Sequence, residues 1–101
     1  MAKILAVDDS ASMRQMVAFT LKGAGHTVVD AADGQQALTI AKTQSFDLVL
    51  TDVNMPVMDG LALTRELRAL PAYRFTPILV LTTEAGMDKN KKGGQLVQQV
   101  G

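Results

Sequence analysis

Three aspartates, Asp8, Asp9 and Asp52, offer chemistry through their type and their position along the chain. Asp8-Asp9 closes the apolar run Ile4-Leu5-Ala6-Val7, and Asp52 closes Leu48-Val49-Leu50-Thr51. Open α/β sheets bind their ligands outside the carboxyl ends of the strands, so these carboxylates sit where a site would be built. If the strands bearing them are neighbours, the three carboxylates converge and repel one another unless a cation or protons intervene. A hard divalent ion is the simplest answer. Mg²⁺ prefers oxygen ligands, keeps several waters, and commonly takes one or two carboxylates together with a phosphate. A lone aspartate at a strand end is often only a turn or helix cap, and Ser10 or Ser12 could make Asp9 a cap partner. The joint occurrence after two strands is the signal.

The elements that must hold these residues alternate two periods. Short runs apolar on both faces fit parallel strands covered by helices on each side. Besides the two above, Ile78-Leu79-Val80-Leu81 ends at Thr82-Thr83-Glu84, and Val28-Val29 precedes Asp30-Ala31-Ala32. Between them, Ser12 is expected to cap a helix carrying Met13, Met16, Val17 and Leu21, with the two methionines filling core, and ending at Gly23 and Gly25. Asp33-Gly34 opens a second helix with Ala37, Leu38 and Ala41 on one face. Asp59-Gly60 opens a third with Leu63, Leu67 and Leu70, stopped by Pro71; Arg65, Glu66 and Arg68 read as its solvated side. The order βαβαβαβ means a doubly wound parallel sheet, with strand order 2-1-3-4. Residues 85–92 read as a loop whose lysines are solvated, and residues 93–100 as a short helix on Leu96, Val97 and Val100.

Composition bounds the function. The 101 residues suit one domain, with ten Lys/Arg against ten Asp/Glu. That neutrality disfavours a dedicated nucleic-acid binder. No Cys is present, which removes disulfides, thiolate metal sites and cysteine nucleophiles. No apolar run approaches the roughly 18 residues of a membrane span, and no signal-peptide layout opens the chain. A soluble, cytoplasmic domain is expected. Eight of the ten acids are Asp, a residue favoured at caps and turns, where sites are built. His26, in Gly-His-Thr, reads as a surface turn.

The segments Val7-Asp8-Asp9-Ser10, Thr51-Asp52-Val53-Asn54-Met55-Pro56-Val57-Met58-Asp59-Gly60 and Leu81-Thr82-Thr83-Glu84 together resemble the receiver domain of two-component response regulators. Within that family they are most similar to the CheY-like single-domain chemotaxis regulators. The resemblance implies a flavodoxin-like fold and a phospho-accepting signalling domain, not an enzyme in the ordinary sense. It implies that Asp52 accepts a phosphoryl group from a histidine kinase. Asp9, Asp52 and the backbone carbonyl of Asn54 would bind Mg²⁺, with Asp8 acting through water. Thr82 would be the switch hydroxyl, and the backbone N–H groups of Thr83 and Asn54 would hold phosphoryl oxygens. An aspartyl-phosphate phosphohydrolase would want a second Asp two residues after the nucleophile, where this chain has Asn54.

The departures carry expectations too. The family's Lys-Pro pair and its aromatic switch residue are absent: Pro56, Pro71 and Pro77 follow no Lys, and Tyr73 lies before the fourth strand. A charge-assisted hydrogen bond of that kind is worth roughly 1.5–3 kcal/mol. Residues 1–101 are therefore expected to form one receiver domain, C-terminally incomplete, lacking the last strand and helix. The fourth strand would then be an apolar edge, which invites a homodimer or higher oligomer through that strand or by exchange of the terminal segment. A second reading follows: a truncated or engineered receiver scaffold that folds and oligomerises without signalling. Arg14, one turn into the first helix, is expected near the mouth of the site, where it would tune access.

Overall fold

Ile4, Leu5, Ala6 and Val7 are all buried, as a strand flanked on both edges and covered on both faces requires. They form β1 (Lys3–Val7) in a computed structural model that describes residues 1–83 and 95–99. The chain continues through α1 (Ala11–Gly23), β2 (Thr27–Ala31), α2 (Gly34–Thr43), β3 (Leu48–Asp52), α3 (Gly60–Arg68), a 3₁₀ turn (Pro71–Tyr73), β4 (Ile78–Thr83) and β5 (Gln95–Gln99). The sheet order is β2-β1-β3-β4-β5. The first four strands are parallel, and β1 pairs with both β2 and β3. The fold is flavodoxin-like, with the predicted order 2-1-3-4 among its parallel strands.

Alternation along the strands sorts the core into two layers. Leu5, Val7, Val49, Ile78 and Val80 meet Ala37, Leu38 and Ala41 of α2 and Leu63 and Leu67 of α3 in one cluster. Ala6, Leu50 and Leu81 face the other way, toward Val17 of α1. Helix starts follow their caps. The Asp33 carboxylate accepts from Gln36 N at 2.8 Å and that of Asp59 from Ala62 N at 2.8 Å, as expected. For α1 the cap is Ser10 rather than Ser12. Ser10 keeps an extended backbone and its hydroxyl accepts from Met13 N, so Ser12 already lies inside the helix. Met16 is exposed rather than core, because α1 turns its Ala18 face inward. Gly25, at φ +96°, closes α1 in the left-handed region that glycine tolerates.

The C-terminal expectations need correction. Residues 95–99 are not helix but strand, antiparallel to β4, with Leu81 opposite Val97 and Thr83 opposite Gln95. Two glycines before the segment weaken a helix there, and the open hydrogen-bonding edge of β4 offers a row of partners that a helix would leave unpaired. The sheet thus has a fifth strand, and β4 is not its edge. The premise for dimerisation through an exposed strand four falls with it. The loop expected over residues 85–92, with Lys89, Lys91 and Lys92, lies outside the described residues. Among the described residues no helix is long and apolar enough to cross a membrane.

Two residues near the other end of the sheet do more than their sequence context suggested. Arg68, expected on a solvated face, donates from Nη1 to the carbonyls of Tyr73 at 2.8 Å and Thr76 at 2.6 Å, because the turn after α3 directs its carbonyls at the last helical turn. The buried Tyr73 hydroxyl lies 2.8 Å from the Ala41 carbonyl and 2.6 Å from that of Gln44, tying this turn to the end of α2. Tyr73→Phe should cost about 1–2 kcal/mol in urea denaturation, since the ring still fills its space while buried carbonyls lose a donor. His26 is half-buried, and its Nδ1 accepts from Ala2 N at 3.0 Å.

Candidate functional site

The register of β1 and β3 builds the site. Val7 is aligned with Thr51, so the next residues, Asp8 and Asp52, stand side by side at the carboxyl ends of β1 and β3, with Asp9 one step further on. One carboxylate oxygen from each of Asp8, Asp9 and Asp52 lies within 4.8 Å of the others. Asp8 is buried, Asp52 half-buried and Asp9 exposed, so the group forms a pocket with one open side. The predicted convergence of the three carboxylates is what the fold produces.

Electrostatics in the pocket favour a positive occupant. Burial, then the charge of Asp8 and to a lesser extent that of Asp9, push the Asp52 carboxyl above its ordinary value. The backbone N–H groups of Val53 and Asn54 pull it back only in part. Val53 N donates to Asp52 Oδ1 at 2.8 Å. Asp8 Oδ1 accepts from Ser10 N at 2.9 Å, and Asp8 N donates to the Ala31 carbonyl at 3.1 Å. These ties fix the carboxylates without neutralising them. All three offered donors are hard oxygens, so the chemistry of the set fits Mg²⁺ and not a thiolate- or imidazole-seeking metal.

Asn54 stands on the exposed loop leaving β3, with its N–H directed at the Asp52 carboxylate. Thr82 and Thr83 close β4, one and two residues past Leu81, which is aligned with Asp52. Their side-chain contacts lie outside the described residues. Tyr73 is buried against α2, away from the carboxylates, in keeping with its exclusion as a switch residue.

Other residues beside the site read in the sequence only as a loop and as helix starts. Gly60, first residue of α3, donates its N–H to the Val53 carbonyl at 2.9 Å and presses against the end of β3. Gly34, first residue of α2, donates to the Met58 carbonyl at 3.2 Å and leaves no room for a Cβ beside it. The signal was an aspartate cap followed by glycine where a better helix former would serve. Val57 has φ 70°, and Met58 N donates to the Pro56 carbonyl at 2.7 Å, a three-residue γ-turn centred on a β-branched residue. Left-handed backbone costs an L-residue about 1–2 kcal/mol. Val57→Gly should therefore stabilise the domain by about 1 kcal/mol in chemical denaturation, since glycine adopts positive φ without steric cost and Val57 is exposed.

A doubly wound sheet with three converging carboxylates across its first and third strands defines a flavodoxin-like domain with an acidic pocket at the switch point. The sequence profile of the response regulator receiver domain matches residues 4–96. The chain is 41% identical over 86 residues to a chemotaxis protein CheY homolog of Campylobacter jejuni, covering 83% of this chain and 66% of that protein. It spans 12% of a longer relative, a gliding motility regulatory protein of Myxococcus xanthus. Among solved structures, chemotaxis response regulator CheY4 of Vibrio cholerae superposes with a TM-score of 0.82 at 53% identity, covering 91% of this chain and 75% of that one. The receiver domain of sensor histidine kinase PA1611 from Pseudomonas aeruginosa, with a magnesium ion coordinated in its active site cleft, superposes with a TM-score of 0.80 at 34% identity and the same coverage. The chain belongs to the response regulator receiver domain family.

Proposed function

We propose that this domain is a two-component signalling switch that accepts a phosphoryl group on Asp52 from the phosphohistidine of a histidine kinase, in a chemotaxis-type pathway. The observation that carries the reading is the convergence of the Asp8, Asp9 and Asp52 carboxylates at the carboxyl ends of β1 and β3, in a chain of the receiver family. Asp52 is the nucleophile: its carboxylate oxygen forms the new P–O bond as the P–N bond to the histidine breaks, and the imidazole nitrogen leaves with the electron pair. The N–H of Val53 holds Oδ1 and so orients the carboxylate for this attack. Asp9, Asp52 and the Asn54 backbone carbonyl would hold Mg²⁺ directly, and Asp8 through water. A bound Mg²⁺ supplies charge neutralisation for the acidic pocket and the incoming phosphoryl oxygens. The Asn54 and Thr83 N–H groups and the Thr82 hydroxyl donate to those oxygens, and engagement of Thr82 is the switching event. The protein's contribution is positioning and electrostatics, as phosphoryl transfer demands. On this reading the domain is not an enzyme beyond its own phosphorylation and dephosphorylation.

The test is labelling with a small phosphodonor. With Mg²⁺ and acetyl phosphate, intact mass should show the gain of one phosphoryl group, mapped to Asp52, and Asp52→Asn should show none. A folded sample that binds Mg²⁺ yet gains nothing at saturating donor overturns the proposal and leaves a receiver scaffold without signalling chemistry.

A further inference from the structure

Arg14 makes two contacts that the reading above does not use. From the first turn of α1 its Nη1 donates to the backbone carbonyl of Asp8 at 2.8 Å. Its Nε stands 3.7 Å from Oδ2 of Asp30, near the end of β2. The Asp8 carbonyl belongs to the peptide that joins Asp8 to Asp9, so whatever holds it sets the direction in which Asp9 leaves the sheet. The other ends of that link are already fixed: Asp8 N by the Ala31 carbonyl and Asp8 Oδ1 by Ser10 N. The carbonyl contact with Arg14 is the remaining tie on the link that leads to Asp9, the exposed member of the group.

We propose that Arg14, steered by Asp30, is a positioning residue that sets the orientation of the Asp8–Asp9 peptide and thereby the divalent-cation affinity of the pocket. The inference rests on the pocket being the Mg²⁺ site proposed above. The guanidinium suits the task because its planar fork reaches two acceptors from one rigid group, which an ammonium cannot match. The side chain of Arg14 is 20% exposed and that of Asp30 47%, with a long contact between them. Their attraction is therefore weak as a source of stability, and Asp30 acts by aiming the fork. The hydrogen bond to the Asp8 carbonyl is the stronger link, being short and charge-assisted. Arg14 itself forms part of the wall of a small hollow shared with Ala6, Val17, Leu50 and Leu81, between α1 and the sheet.

The sign of the effect separates positioning from charge. A nearby cation repels Mg²⁺, so if Arg14 acted only through its charge, Arg14→Gln would tighten binding and Arg14→Lys would change nothing. Positioning predicts weaker binding in both. The experiment is calorimetric Mg²⁺ titration of the wild-type protein, Arg14→Gln, Arg14→Lys and Asp30→Asn, with metal-free melting curves and the Asp9 amide NMR signal as parallel readouts. The expected result is a rise in Kd of about tenfold for both Arg14 variants, the scale seen when a partner of a metal ligand is removed. Asp30→Asn should give a smaller rise in the same direction. The Asp9 amide should shift while the metal-free melting temperature of Arg14→Lys stays near wild type. An unchanged Kd in Arg14→Lys, or tighter binding in Arg14→Gln, overturns the inference while leaving the Mg²⁺ pocket in place. A wild-type protein that binds no Mg²⁺ overturns both.

Discussion

Gly60→Ala is expected to destabilise the domain by about 3 kcal/mol and to weaken Mg²⁺ binding in the fraction that remains folded. Two effects of opposite sign compete at this position. Gly60 is the first residue of α3 and its φ is not positive, so local propensity alone would have alanine stabilise the protein by about 0.4–1 kcal/mol. Packing opposes this. A Cβ there would overlap the Asp52 carbonyl oxygen and lie 3.0 Å from the Asp52 carbonyl carbon and 3.2 Å from Val53 Cα. All of these are backbone atoms of the strand end that carries the candidate acceptor, so no rotamer change relieves the contact. Separating α3 from β3 would also stretch the 2.9 Å bond from Gly60 N to the Val53 carbonyl and unseat the buried Leu63 and Leu67. The steric term is the larger, and it acts on Asp52 directly. Urea denaturation against Leu61→Ala, a half-exposed neighbour expected to change stability by about 0.5 kcal/mol or less, gives the comparison. A Gly60→Ala protein as stable as wild type would show that α3 does not rest on Asp52.

That contact marks the boundary between what the sequence disclosed and what it did not. The carboxylates were legible because they end apolar runs, and apolar runs on both faces are a local pattern that fixes parallel strands. The caps Asp33 and Asp59 were legible for the same reason, since capping joins residues three apart. The cap of α1 was misplaced onto Ser12 instead of Ser10, because the Asp-Ser-Ala-Ser stretch offers two hydroxyls and only backbone angles choose between them. Long-range pairings were hidden. Whether residues 95–99 coil or extend is decided by the free edge of β4, a partner far away in sequence. Arg68 looked like an ordinary helix-surface cation and Arg14 like a residue at the mouth of the site, yet each reaches backbone carbonyls brought to it by the fold. The site's acids announced themselves; the groups that hold those acids in place did not.

The metal-free protein should become more stable, not less, when Asp52 is replaced by asparagine, and the gain should disappear in acid. Burial first, and then the neighbouring Asp8, raise the Asp52 carboxyl in the folded state above its ordinary value. A group shifted upward by folding contributes stability that is complete below its unfolded value, about pH 4, and is lost as pH rises through the raised folded value. At neutral pH the ionised Asp52 is therefore a cost to the metal-free fold. Asparagine keeps the acceptor for Val53 N, which lies 2.8 Å from Oδ1, and nearly the same volume. What it removes is repulsion. Like charges with oxygens up to 4.8 Å apart cost about 1 kcal/mol per pair in water-like surroundings. Asp52→Asn should accordingly gain about 1–2 kcal/mol at neutral pH in EDTA, and nothing below about pH 4. Distant carboxylates titrate alike in both proteins, so the difference between the two curves reports Asp52 together with the pocket charges coupled to it. Mg²⁺ should reverse the order. At about one hundred times its Kd it stabilises the wild type by about 2.7 kcal/mol, and the variant, lacking a charged ligand, by much less. Melting curves across pH with and without Mg²⁺ would read both effects. If Asp52→Asn were the less stable protein in EDTA, or if Mg²⁺ stabilised the two alike, the aspartate would be part of the fold's support rather than a charge the fold holds ready for a cation and a phosphoryl group.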